Sequence, residues 1–218
     1  MKSKKYIPVI VIDFLVFLFM CLGISFSVFD VRFMGDYPRL AGIPIFMTFT
    51  GLSNIFVGLV CLGCALYRLI KKDNTIPLVL FILKLLAVAE ISITFIITAT
   101  YLAPQLGSTW WRLYINNNLF NHLVTPILAI ISFVFLEKKK EIKFPYCFLG
   151  ILPVFLYGIM YIINVYTHLD EHGHTDLTYD IYGLRRFGIG VLALFIIGFF
   201  AFSFGLTMLY RFINNKKR

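Results

Sequence analysis

Six stretches of the chain are almost free of charge for about twenty residues or more: approximately 6–28, 43–70, 75–103, 118–136, 146–166 and 187–212. An α-helix needs about 20 mostly apolar residues to cross the hydrocarbon core of a bilayer. The pattern therefore predicts an all-α fold: a polytopic membrane protein whose six transmembrane helices pack as one bundle. The connections are short, so residues 1–218 are read as a single integral membrane domain with no second soluble domain. The first stretch is read as a helix and not as a signal peptide. It is longer than a signal h-region, carries Asp13, and is followed by no small-residue cleavage site.

Composition agrees. Sixty per cent of the residues are apolar and 14% are charged, against about 45–50% and 25% in soluble domains. An ordinary cytosolic enzyme, a disordered tail and a disulfide-stapled secreted domain are excluded. The net charge of +9 matters through its placement. With the N-terminus inside, fourteen of the twenty Lys and Arg fall in inside segments and five in outside loops, and Lys84 lies within the third helix. The positive-inside rule then predicts that both termini are cytoplasmic. No basic stripe with interleaved aromatics lies outside the apolar runs, so nucleic acid is not an expected partner. Membrane lipids are, with Trp110 and Trp111 in an interfacial belt and the tail Lys216-Lys217-Arg218 on anionic headgroups. By this topology none of Cys21, Cys61, Cys64 and Cys147 lies in an outside loop, so no structural disulfide is expected. The Cys61-x-x-Cys64 spacing lies inside a helix and is read as packing. The Lys/Asn/Ile-rich ends and the absence of an Asn-x-Ser/Thr acceptor fit a bacterial plasma membrane.

Polar groups in lipid are costly and usually face the bundle interior. The second helix carries Thr48, Thr50, Ser53 and Asn54; the third Lys84, Glu90, Thr94 and Thr98; the fourth Asn118, Asn121, His122 and Thr125. Several of these recur at i, i+4 spacing and so share a face, which predicts a common polar cavity. From the 1.5 Å rise per residue, Thr50 lies roughly 10 Å, His122 about 6 Å and Thr98 roughly 8 Å below the outer edge. Asp13 and Lys84 fall at similar depths in the inner half. A pair between them would lower the cost of both charges, either as a packing device or as part of an ion path. Glu90 has no cationic partner by register. Outside, His168, Asp170, His172 and His174 lie in one loop, with Asp176 and Asp180 beyond. The loop at 168–180 is read as a solvated lid or as a divalent-metal site; otherwise no cofactor is expected.

The segment Phe46-Met47-Thr48-Phe49-Thr50-Gly51-Leu52-Ser53-Asn54, with Asn118-Leu119-Phe120-Asn121-His122-Leu123-Val124-Thr125-Pro126 some seventy residues later, resembles the androgen-induced membrane hydrolase family and its bacterial six-helix relatives. The resemblance implies a six-helix intramembrane hydrolase. The characterised animal members are threonine-type esterases that cleave fatty-acid esters of hydroxy fatty acids. The family's catalytic pair is a threonine on the second helix and a histidine on the fourth. Carried over, the histidine is His122 and the threonine is Thr50, three residues before Ser53; Thr48 is the alternative, because Phe-Met-Thr-Phe also matches the animal motif. The chain departs from the family in lacking a Tyr-Pro-Phe-Leu run after the fifth helix, so the substrate class is not carried over.

The same chemistry follows from the residue types. A threonine hydroxyl needs a base within hydrogen-bond reach, and an imidazole is the natural base near neutral pH. Asn54 or Asn118 would donate to a developing oxyanion, with Ser53 as polar support. Three functions are therefore carried forward: a threonine-type hydrolase of lipid or fatty-acid esters, a small-solute or ion transporter using Glu90, Lys84 and Asp13, and a non-catalytic module that binds a lipid or a partner helix.

Overall fold

The computed structural model describes residues 6–33, 42–169, 179–186 and 189–217. Six helices are long and apolar enough to cross a membrane, the architecture of a multi-pass membrane protein. They are α1 (Ile7–Val28), α2 (Phe49–Lys71), α3 (Leu78–Gln105), α4 (Asn117–Leu136), α5 (Phe144–Thr167) and α6 (Ile189–Lys216). The end of the bundle that carries the α1–α2, α3–α4 and α5–α6 connections is termed distal, and the opposite end proximal.

α3 is the central element. Of its most apolar window 72% is buried, against 22% for α5 and for α6. α1 packs on α2 and α4, α3 packs on α2, α4 and α6, and α5 pairs with α6. The first four helices thus form a bundle, with the α5–α6 hairpin laid against α3. The outward surface is apolar, with Phe135, Leu194 and Ile197 exposed on it.

The second apolar run, expected to be helical from about residue 43, is divided. A 3-10 turn at Ile43–Met47 is followed by Thr48 in extended conformation (φ −89°, ψ 148°), and α2 begins at Phe49. The Thr48 hydroxyl accepts from Gly51 N at 2.8 Å and donates to the Ile45 carbonyl at 2.8 Å, satisfying one of the orphan amides of the first turn. The fold-back needs glycine at 51, where an added Cβ would stand 2.1 Å from the Ile45 carbonyl oxygen. The third helix starts at Leu78 and not near residue 75, because Pro77 restricts the residue before it to extended backbone.

Two prolines shape the distal ends of α3 and α4. Neither Pro104 nor Pro126 has an N–H to offer the carbonyl four residues back. In each helix the preceding turn widens to π form, at Thr98–Leu102 and Phe120–Val124. A third π turn, Ser132–Leu136, closes α4 through Glu137 N donating to the Ser132 carbonyl at 3.0 Å.

Candidate functional site

The candidate residues fall in two separate places. The proximal group is a closed set of charges. Lys84 Nζ on α3 donates to Asp13 Oδ1 on α1 at 2.6 Å, to Glu137 Oε1 at 2.5 Å and to Ser132 Oγ on α4 at 2.9 Å. Arg68 on α2 donates to Asp13 Oδ2 at 2.9 Å and to Glu137 Oε2 at 2.5 Å. Ser132 Oγ returns a bond to Asp13 Oδ1 at 2.5 Å. All four charged side chains are buried to within 1%. Two cations meet two anions, so the set is neutral, and each of the three Lys84 donors has an acceptor. The widened turn at the end of α4 brings Ser132 and Glu137 to the same ammonium.

The sequence reading placed Asp13 and Lys84 together but counted Arg68 among the loop charges and gave Glu137 no role. Arg68 falls inside the second apolar run and Glu137 directly follows the fourth, and those positions were the available signal. Cys61 and Cys64 are buried on α2 as free thiols.

The distal group lies where α1, α2, α3 and α4 converge. The Asn54 amide on α2 donates to the Thr50 carbonyl at 2.8 Å and to the Asn121 carbonyl of α4 at 3.0 Å. Ser53 Oγ shares a hydrogen bond with Thr94 Oγ1 of α3 at 2.9 Å and also donates to the Thr50 carbonyl at 3.1 Å. Asn117 Nδ2 donates to Ser27 Oγ of α1 at 2.8 Å, and Asn121 Nδ2 to the same oxygen at 3.3 Å. Thr98 is buried beside this region. Three buried polar atoms of the group, Asn54 Oδ1, Asn121 Oδ1 and Thr125 Oγ1, have no partner among the described residues.

His122 sits within the π turn of α4, a feature often found at functional sites. The residue is 9% exposed, and its Nδ1 lies 3.2 Å from the Leu113 carbonyl. A carbonyl only accepts, so in the neutral ring Nδ1 carries the proton and Nε2 keeps its lone pair. That is the tautomer a general base requires at Nε2.

The second-helix hydroxyls divide clearly. Thr48 is spent as the cap of α2. Thr50 is half-buried, and its hydroxyl makes no hydrogen bond among the described residues. Thr50 and Asn54 lie four residues apart on one face. Asn54 faces Asn121, so Thr50 lies on the α4 side of α2, one turn nearer the distal end.

The asparagines divide too. Both Asn54 amide hydrogens are engaged, which leaves none for an oxyanion. Asn118 is half-buried, and its side-chain amide has no partner among the described residues.

Glu90 is buried on α3, one turn from Thr94. Ser203 Oγ of α6 lies 2.6 Å from the Gly150 carbonyl and 2.7 Å from Glu90 Oε1. Its single hydrogen goes to the carbonyl, which only accepts, so Glu90 is the neutral acid with its proton on Oε1, and Oε2 has no partner among the described residues. Sequence reasoning did not find Ser203, whose pairing depends on how the α5–α6 hairpin docks.

On the distal surface, Asp180 accepts from the Tyr161 hydroxyl, from Leu184 N at 2.9 Å and from Arg185 N at 3.2 Å. Tyr182 OH accepts from Phe49 N at 3.1 Å, tying this loop to the start of α2. The His168 ring stacks on Tyr179 with centroids 3.7 Å apart, and its Nδ1 lies 3.0 Å from the Asn164 carbonyl. Asp170, His172 and His174 lie outside the described residues. Among the described residues, no three His, Cys, Asp or Glu side chains form a group that could hold a metal ion.

Comparison with family models, with curated protein sequences and with solved structures finds no significant match to this chain. The hydrolase resemblance therefore rests on the Phe46–Asn54 and Asn118–Pro126 segments alone.

Proposed function

We propose that the chain is an intramembrane hydrolase of lipid or fatty-acid esters, with Thr50 as nucleophile and His122 as general base. In this reading it sits in a bacterial plasma membrane with both termini cytoplasmic. The distal site then opens toward the outer leaflet, where an apolar ester can enter sideways from lipid.

The observation that carries the proposal is the His122–Leu113 hydrogen bond, which leaves Nε2 as the basic nitrogen of a buried ring. The free Thr50 hydroxyl on the α4-facing side of α2 supplies the matching proton donor. Nε2 takes the Thr50 proton as Oγ1 bonds to the ester carbonyl carbon. The resulting imidazolium returns that proton to the departing alkoxide, leaving Thr50 acylated, and water activated by the same nitrogen releases the acid. The free amide of Asn118 is the donor suited to the developing oxyanion.

The charge set weighs against an ion path through Asp13 and Lys84. Its members satisfy one another across four helices, so they are suited to holding the bundle together and offer no vacant valence to a passing ion.

The test is turnover of p-nitrophenyl octanoate by the purified chain in detergent. A positioned general base contributes about 10²–10⁴-fold. Thr50→Ala and His122→Ala should each lose at least about 10²-fold, while Thr50→Ser retains activity. Wild-type turnover no greater than that of Thr50→Ala removes the proposal.

A further inference from the structure

The distal start of α2 meets the middle of α5, where the Phe49 and Tyr157 rings stand 5.3 Å apart edge to face. Below that contact they diverge over α3 and leave a groove of about 420 Å³, within the size range of small-molecule sites. Its walls include Leu52, Phe56, Leu86, Leu156 and Tyr157, and Glu90 lies in its lining. Leu152 and Leu156 on its rim are 49% and 56% exposed on the apolar outer surface of the bundle, so the groove is reached laterally from lipid.

Glu90 is 1% exposed and Oε2 has no partner among the described residues. A buried acceptor left unmade costs most of its desolvation free energy, so the groove holds an unmet demand for one hydrogen-bond donor. The other polar groups of the lining are already engaged. Ser53 bonds to Thr94 and to the Thr50 carbonyl, and Tyr157 OH donates to the Met47 carbonyl at 3.2 Å. Water needs two to four polar partners to stay in such a place, and apolar walls with one open acceptor do not supply them. The donor has to arrive on an apolar body. A hydroxyl fits best, because it meets the single acceptor without bringing a charge or the extra acceptor of a carboxylic acid. We infer that this groove binds a long-chain aliphatic alcohol or another hydroxyl-bearing lipid, with the hydroxyl donating to Glu90 Oε2 and the chain lying between α2 and α5. The site uses neither Thr50 nor His122 and stands whether or not the chain is a hydrolase.

The experiment is photolabelling of the full-length chain in phosphatidylcholine vesicles with a hexadecanol that carries a diazirine in mid-chain. Adducts are expected on peptides covering 52–56 and 152–160. Hexadecanol should compete at least tenfold better than its methyl ether, which has the same chain but no donor. Glu90→Leu removes the acceptor, so the two potencies should converge to within about twofold. Equal competition by alcohol and ether in the wild type, or adducts that map elsewhere, overturns the inference, and the wild-type comparison stands even if Glu90→Leu fails to fold.

Discussion

Lys84 Nζ and Glu137 Oε1 lie 2.5 Å apart across 53 positions of chain, joining the second turn of the third helix to the end of the fourth. Glu137 also accepts from Arg68, and Asp13 accepts from both Lys84 and Arg68, so each ion holds two others in place. Removing one member strands its partners in a medium that cannot solvate them. Breaking a buried pair costs about 3–5 kcal/mol, and Lys84→Met should destabilise the chain in detergent by that order. Lys84→Met combined with Glu137→Gln should cost less than the sum of the two single changes, because the second removes the anion stranded by the first. Simple additivity of the unfolding free energies would contradict this account of the cluster.

Thr48 and Thr50 should separate by phenotype. Thr48→Ala removes a helix cap, a loss of about 1 kcal/mol, and should leave ester turnover within a few-fold of wild type. Thr50→Ala removes a hydroxyl with no structural bond and should abolish turnover with little change in melting temperature. The opposite assignment of these two effects would make Thr48 the nucleophile.

Helix packing around the distal site gives a second pair of contrasting variants. A Cβ on Gly23 of α1 would stand 2.3 Å from Asn121 Oδ1 and 3.0 Å from Phe120 Cβ. Gly23→Ala should therefore destabilise by about 1–3 kcal/mol, as overpacking does. At Gly63 of α2 an added Cβ meets nothing within 4 Å, and Gly63→Ala should stabilise by about 0.4–1 kcal/mol through the unfolded chain. Equal thermal shifts for the two variants would show that α1 and α4 are not in this contact.

Lys217, just beyond α6, donates to the Phe133 carbonyl at 2.7 Å and to the Glu137 carbonyl at 3.1 Å, at the end of α4. Burial pushes its ammonium down to about 8. A lysine with a lowered folded value binds fewer protons folded than unfolded, so its contribution to stability rises with pH. The rise should fall between about pH 8 and the ordinary lysine value of about 10.4, and Lys217→Gln should remove it. Competitive acetylation followed by peptide mapping should give Lys217 a midpoint near 8; a midpoint at the ordinary lysine value would contradict the burial argument.

The six helices were legible because crossing a bilayer demands long uncharged runs, and no local accident imitates that pattern six times. The break at Thr48 was not, since Ile43–Phe49 carries no charge and the interruption depends on a close approach at Gly51. Asp13 and Lys84 were visible as charges inside apolar runs. Arg68 and Glu137 stand at the ends of such runs, where basic and acidic residues normally reach water, and only the packing of four helices encloses them. The π turns ahead of Pro104 and Pro126 were not read from the sequence, although each proline's missing N–H is a signal for one, and the π turn at Ser132–Leu136 has no proline to mark it. In the distal site the residue types were legible and their bonding was not. Composition cannot say that Asn54 has spent both amide hydrogens or that Thr48 is a cap.

The central claim, that Thr50 is a nucleophile served by His122, is tested most directly by the position of a covalent adduct. The purified chain is treated with an alkyl fluorophosphonate and the modified peptide is sequenced by mass spectrometry. The account predicts an adduct on Thr50 in the wild type, its loss in His122→Ala, and its persistence in Thr48→Ala. No adduct on Thr50, or labelling that is unchanged in His122→Ala, would contradict it.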